Sequence, residues 1–363
     1  MLNEKEKDMS KVMIAMSGGV DSAVTAHLVR RSGHEVIGAT MNLYCPGKVL
    51  HPDENGMMIG DDIEDAKAVA RRIGIPHMVL DYEDDFKKIV VDSFVNAYEQ
   101  AKTPNPCIVC NESLKFGKMM DALNRVGADR LATGHYARIE RDPAGRMLLR
   151  RAVDLNKDQS YVLYMLTQDR LARILFPLGE YTKAQVREIA GEMGFENAHK
   201  SDSQDICFIP DGDYAGFIER YRGKQYPDGN FVDANGAILG RHKGIIHYTI
   251  GQRKGLGIAL GHPAFVCRKD AVANTVTLSD NASLFSGTLL VRNINWIPFD
   301  QLNAPLRVQA KIRYNMQAQP ATVEQIDTDL VRVVFDQPQR AITPGQSAVF
   351  YDGDYVIGGG IIE

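Results

Sequence analysis

One tryptophan and five cysteines stand among 363 residues. So few cysteines exclude a disulfide framework and lead us to expect reduced thiols in the cytoplasm. Long apolar runs are missing too: VMIAM at 12–16 is among the longest, far short of the roughly 20 residues of a membrane span. No membrane association is therefore expected. The opening stretch MLNEKEKDMSK is charged and has no apolar centre, unlike a secretory signal. Nor is there an excess of one charge. Lys and Arg total 42 against 46 Asp and Glu, a net charge of −4. A nucleic-acid partner is thus not announced by bulk charge and would have to be met by local contacts. Internal repeats and low-complexity tracts are absent. What is present is ordinary for a globular protein: 44% hydrophobic and 24% charged residues, enough for real cores. The length suggests two or three domains.

The pattern changes along the chain. KVMIAM (11–16) reads as a buried strand, Asp21 to Arg31 as a helix, and EVIGATMNLY (35–44) as a second strand. A helix over 61–74 carries acidic residues in its first turn and Gly74 as its stop. HMVLDY (77–82) is a third strand, 83–101 and 111–127 are helices, and RLATGHYA (130–137) is a strand. This order predicts an α/β fold with a doubly wound parallel sheet and ligands at the carboxyl ends of its strands. Residues 1–208 are assigned to that domain. Residues 209–285 are rich in Gly and turn residues and form a small central domain. Residues 286–363 hold six short alternating segments, which suggest a small barrel or sandwich.

Ser17-Gly18-Gly19-Val20-Asp21-Ser22 lies between the first strand and the first helix. Two glycines let the backbone turn tightly and approach an anion, and the helix start offers unpaired N–H groups. The Gly-Lys-Ser/Thr ending of a Walker loop is missing. A plain strand-to-helix turn with Asp21 as cap is the simpler reading of two glycines. The whole string, however, resembles the PP-loop of ATP pyrophosphatases, which cleave ATP to AMP and pyrophosphate. Asp21 beside phosphates then implies a bridging Mg²⁺.

The cysteines divide. TPNPCIVCN (103–111) places two prolines before Cys107 and Cys110. Cys110 is expected at a helix start, where the thiolate is favoured, with Lys115 adding positive potential. Structural zinc is a poor reading, because no second CxxC and no close His pair exists. Cys207, in SDSQDICFIP (201–210), has apolar neighbours compatible with a buried structural role. Cys45 and Cys267 read as filler.

Taken together, the motifs resemble one family, the tRNA-specific 2-thiouridylases. They are SGGVDS, TPNPCIVCN, ATGHYAR (132–138), KDQSY (157–161), SDSQDICFIP, HYTIGQRKGLGI (247–258), KIRY (311–314) and TPGQ (343–346), and they run nearly the length of the chain. The resemblance implies a PP-loop catalytic domain, a small central tRNA-interacting domain and a C-terminal six-stranded β-barrel, and ATP-dependent 2-thiolation of the wobble uridine of tRNA, with sulfur arriving from a persulfide-carrying donor protein. Cys207 would accept the sulfur, and Cys110 would be the second catalytic cysteine, forming a transient disulfide with it. Ala15, Met16, Ser17, Gly18, Gly19, Val20, Asp21, Ser22, Met41 and Gly134 would form the ATP site. Asn105, Pro106 and Cys107 would face the target base, and His135, Lys157, Asp158, Gln159, Arg313, Tyr314 and Gln346 would contact tRNA. Many members carry Asp where this chain has Cys107. The thiol there puts a carboxylate role in doubt and opens an alternative, an iron–sulfur cluster on Cys107, Cys110 and Cys207. Another PP-loop synthetase acting on a small molecule is the competing function. A non-catalytic RNA-binding module fits poorly with the phosphate loop and the paired cysteines.

Overall fold

The structure, a computed structural model, describes residues 9–46, 50–52, 57–195 and 206–363. The SDSQD half of the 201–210 motif lies outside the described residues. Two units are present: residues 1–87, 108–204 and 354–356 belong to the first, and 88–107, 205–353 and 357–363 to the second.

The first unit opens with β1 (Lys11–Ala15), α1 (Val20–Arg31), β2 (Glu35–Asn42), α2 (Asp61–Ile73) and β3 (His77–Asp81). Val12, Met13 and Ile14 are fully buried, as expected of a strand covered on both faces. Gly74 ends α2 in the left-handed conformation at φ 71°, where glycine carries no Cβ penalty. A helical stretch, α3, follows as Glu83–Phe86, a π-helical Lys87–Val91 and Asp92–Glu99. The next, α4, runs as Pro106–Cys110, a π-helical Asn111–Lys118 and Met119–Arg125. It begins at Pro106 rather than at 111, because Asn105 caps it: its side-chain Oδ1 accepts from Cys107 N–H at 3.1 Å and proline suits the first helical position.

Then come β4 (Arg130–Ala132), the hairpin β5 (Ala137–Arg141) and β6 (Met147–Arg151), β7 (Ile174–Leu175) and α5 (Lys183–Glu192). The expected 130–137 strand is therefore broken. Residues 133–136 leave the sheet at its carboxyl edge. The sheet order is β3-β2-β1-β4-β7, parallel throughout. The order reverses between β1 and β4, the place where such sheets bind ligands. Helices α1, α2 and α5 contribute Val24, Ala66, Ala70, Val186 and Ala190 to one core with Val12 and Ile14.

In the second unit, α6 (Tyr214–Arg222) precedes β8 (Gly229–Val232), β9 (Ile238–His242), β10 (Phe265–Asp270) and β11 (Thr275–Ser279), a sheet ordered β9-β8-β11-β10. Six strands complete the chain: β12 (Phe285–Trp296), β13 (Leu306–Lys311), β14 (Gln319–Asp327), β15 (Leu330–Arg340), β16 (Ser347–Asp352) and β17 (Tyr355–Ile362). Their order is β12-β15-β14-β13-β16-β17, and β12 also pairs with β17, which closes the barrel. Val331, Val333 and Phe335 point inward at alternate positions of β15.

Candidate active site

The SGGVDS loop sits at the carboxyl end of β1, beside the reversal of strand order. Gly18 has φ +72°, and a Cβ built on it would lie 2.3 Å from the Asp62 carbonyl oxygen. Only glycine allows the start of α2 to press this closely. Ser22 ties the loop together: its Oγ accepts from Ser17 N–H at 3.1 Å and donates to Gly19 O at 3.0 Å. Gly19 is the N-cap of α1, and no side chain caps that helix. Ala15 and Met41 stand at the ends of β1 and β2, and Met16 is buried. The 133–136 segment closes the other side. A Cβ on Gly134 would come within 3.1 Å of Asp21 and Ser22 backbone atoms. The structure thus brings the expected ATP-site residues of β1, α1 and the 133–136 segment into one place.

Asp21 does not cap α1. Lys183 Nζ donates to both its carboxylate oxygens at 2.8 Å, and Tyr136 Oη donates to Oδ1 at 2.8 Å. The Lys183 side chain is 7% exposed and that of Asp21 30%. A Mg²⁺ at Asp21, as the sequence leads one to expect, would have to share or displace this ammonium. Among the described residues no group of three or more His, Cys, Asp or Glu could hold a metal. Lys183 and Tyr136 were missed by sequence reasoning. Thr182 and Gln185 form a capping box and announce a helix starting at Lys183, but nothing local tells where that lysine points.

The cysteine loop belongs to the second unit up to Cys107. Thr103 N–H donates to Pro344 O at 2.9 Å, and Gln346 Nε2 donates to Thr103 O at 2.8 Å. Gly345, at φ +90°, packs directly on it: a Cβ there would meet Lys102 Cβ at 3.0 Å. The early start of α4 corrects the reading of Cys110. Cys107 lies in the first turn and Cys110 closes the first helical segment, and the helix-terminus field fades within a turn. Cys107 and Cys207 are exposed, and Cys110 is half-buried. Cys207 is therefore not structural filler. Its neighbours Phe208 and Ile209 are buried, the Phe208 ring meeting those of Phe94 and Phe217 at 5.5 and 5.3 Å. They anchor the segment in which Cys207 is exposed. Cys45 and Cys267 are half-buried, and burial pushes the Cys267 thiol up.

A family described as the tRNA methyl transferase HUP domain matches residues 10–211. A tRNA methyl transferase PRC-barrel domain matches 215–280, and an aminomethyltransferase β-barrel domain matches 286–362. The chain is 51% identical over 354 residues to tRNA-specific 2-thiouridylase MnmA of Clostridioides difficile, covering 97% of this chain and 98% of that protein. It is 50% identical over 353 residues to the protein of the same name from Clostridium acetobutylicum, covering 97% and 99%. The chain belongs to the tRNA-specific 2-thiouridylase family.

Within this 2-thiouridylase, several positions expected to contact tRNA also serve the scaffold. His135 is 7% exposed, shares a 2.6 Å hydrogen bond with Thr133 Oγ1, and lies between the Phe116 and Phe176 rings. Burial, aided by Lys115, lowers its pKa well below the ordinary value, so the ring is neutral at pH 7. Asp158 accepts from Ala152 N–H, Ser160 N–H and Ser160 Oγ. Gln159 grips Tyr136 at both backbone groups, its side chain accepting at 3.0 Å and its N–H donating at 2.9 Å. The KDQ segment therefore positions the tyrosine that reaches Asp21. Arg313 donates to Ala341 O and to Thr343 Oγ1, and Gln346 clamps the cysteine loop. Lys157 is partly exposed and Tyr314 37% exposed. No helix among the described residues is long and apolar enough to cross a membrane.

Proposed function

We propose that this protein is a tRNA-uridine 2-sulfurtransferase that thiolates the wobble uridine at the expense of ATP. The observation that carries the reading is family membership over 97% of the chain, joined to a phosphate loop whose uncapped helix start suits an anion. SGGVDS is a nucleotide-phosphate loop, and ATP chemistry is what it serves.

The C2 carbonyl oxygen of uridine is a poor leaving group. Its attack on the α-phosphorus of ATP forms a C2–O–AMP bond and expels pyrophosphate. A persulfide on Cys207, delivered by a sulfur-donor protein, then attacks C2 through its terminal sulfur, and AMP departs. Cys110 thiolate attacks the Cys207 sulfur, which releases the thiocarbonyl product and leaves a Cys110–Cys207 disulfide. A thiol reductant restores both thiols, as a reducing cytoplasm would. Ala15 to Ser22, Met41 and Gly134 surround ATP. Asn105, Pro106 and Cys107 face the base, extruded from its loop as single-stranded RNA allows. Lys157 and Tyr314 reach tRNA from the two units. Residues 1–208, 209–285 and 286–363 act as catalytic, central and barrel domains.

Mass spectrometry of tRNA after incubation with enzyme, ATP and a persulfide donor tests this. A 2-thiouridine at the wobble position is expected, and Cys207→Ser should stop at the adenylated tRNA. Thiolation by Cys207→Ser at the wild-type rate would remove Cys207 from the sulfur path.

A further inference from the structure

We infer that the first unit carries a second anion site, a cavity beside the C-terminal end of α1 that takes a nucleotide-sized phosphate ester. The inference is independent of the thiolation chemistry, because none of the residues placed around ATP or the target base lines this cavity.

The cavity has a volume of about 1150 Å³ and lies between α1, the edge strand β7 and the hairpin β5–β6. Four arginines from three segments line it: Arg31 at the end of α1, Arg130 at the start of β4, and Arg138 and Arg141 on β5. Among the described residues of the lining there is no lysine. Helix α1 spans 12 residues, so its far end stands about 17 Å from the phosphate loop at 1.5 Å per residue. The two anion sites are therefore separate.

Two glutamates line the cavity as well, Glu140 and Glu180. Glu140 is already committed, since it accepts from Arg150 Nη1 at 2.8 Å and from Tyr355 Oη at 2.7 Å. Arg138 is fixed in place: its Nε donates to Arg151 O at 2.7 Å and its Nη2 to Asp354 Oδ2 at 3.1 Å. Arg31 and Arg141 are exposed, and their guanidinium groups make no ion pair or hydrogen bond among the described residues. Positive charge thus exceeds negative in a concave space, where low-dielectric walls strengthen its field. Like charges gathered from separate segments repel, and a bound anion removes that repulsion.

Arginine narrows the choice of anion, because its planar fork matches phosphate oxygens two at a time. The rest of the wall narrows it further. Leu28, Ile139 and Leu175 line it, with the half-buried Tyr181. Inorganic phosphate alone would leave that surface wet. Small organic ligands occupy sites of about 300–1000 Å³ that join apolar walls to a few fixed polar groups, and this cavity is of that order. An RNA stem carries its phosphates on a convex surface and would leave the apolar wall unfilled. A phosphate ester with a flat or apolar body, such as a mononucleotide, satisfies both the arginines and the wall.

The probe is 8-azido-AMP, photolysed on full-length wild type and on the double variant Arg31→Gln/Arg141→Gln, with labelled peptides located by mass spectrometry. Wild type should carry saturable label within 139–147 or 175–181, apart from any at the ATP loop. AMP should displace it, and adenosine, which has no phosphate, should not. The double variant should bind the probe there about tenfold more weakly, the scale of a lost charge-assisted contact. Its melting temperature and its pyrophosphate release with tRNA should match wild type, since both positions are exposed and far from the loop. Label confined to the ATP loop would overturn the inference, as would equal displacement by adenosine or unchanged affinity in the double variant. A cavity that the probe never labels, in a protein whose double variant binds tRNA about fivefold more weakly, would assign these arginines to RNA phosphates and overturn it too.

Discussion

The two loops that carry the candidate chemistry are held by opposite means. The 17–22 loop is held by charge: Asp21, Lys183 and Tyr136 meet at 2.8 Å. The 103–107 loop is held by neutral groups: the Gln346 amide, the Pro344 carbonyl and the Asn105 side chain bind its backbone. A charged clamp can be competed for by a charged ligand, so it suits a site that must admit a polyanion. A clamp of neutral backbone bonds responds little to salt or pH and suits a loop that must keep cysteines in place while other groups come and go.

Three substitutions or conditions should separate the loops, from the largest effect down. Asp21→Ala should reduce pyrophosphate release by at least about 100-fold and leave tRNA affinity within about twofold of wild type. It also strands a buried ammonium, at a cost of about 3 kcal/mol in unfolding free energy. Release near the wild-type rate in a single-turnover assay would break the comparison at its charged end. Gln346→Ala should lower 2-thiouridine formation by roughly tenfold, since the half-buried Thr103 carbonyl loses its donor at a cost of about 1 kcal/mol, while ATP binding without tRNA stays unchanged. Equal losses in both assays would mean that the neutral clamp also shapes the phosphate site.

The smallest effect is on stability. His135 is neutral through burial, and burial also lowers His77, bonded to Thr40 Oγ1 at 2.8 Å, to about 4. Both belong to the first unit. Below about pH 6.5 the unfolded chain binds these protons and the folded chain does not. Stability should therefore fall as pH drops from 6.5 towards 4, by at most about 1.4 kcal/mol per pH unit for each histidine. Melting curves from pH 7 to 5 read this, and His77→Gln should flatten the slope. A slope unchanged in that variant would exclude His77 as a contributor.

Much of the charged loop was legible in the sequence, because its parts are local. A buried strand, two glycines and a helix start are adjacent in the chain, and their order alone predicts a switch-point site. Gly74 and the six barrel segments were legible for the same reason. Lys183 was not, since a single lysine carries no signal of a partner 162 positions away. The break after Ala132 was also hidden. RLATGHYA reads as one strand, and the approach of Gly134 to Asp21 explains why it stops. At the neutral loop, Asn105-Pro106 is an N-cap followed by proline, a start signal for α4 that the Pro-rich reading of the segment obscured. The motifs containing Gln159, Arg313 and Gln346 stood out as patterns, but their hydrogen bonds to neighbouring loops are tertiary facts.

The distance in sequence between Asp21 and Lys183 bears on synthesis. A nascent chain that has emerged only as far as β6 already contains SGGVDS and its carboxylate but not α5. Such a chain leaves the Asp21 carboxylate without the ammonium that engages it in the finished fold. The charged clamp on the 17–22 loop is therefore completed late, only when the segment after β7 docks on α1.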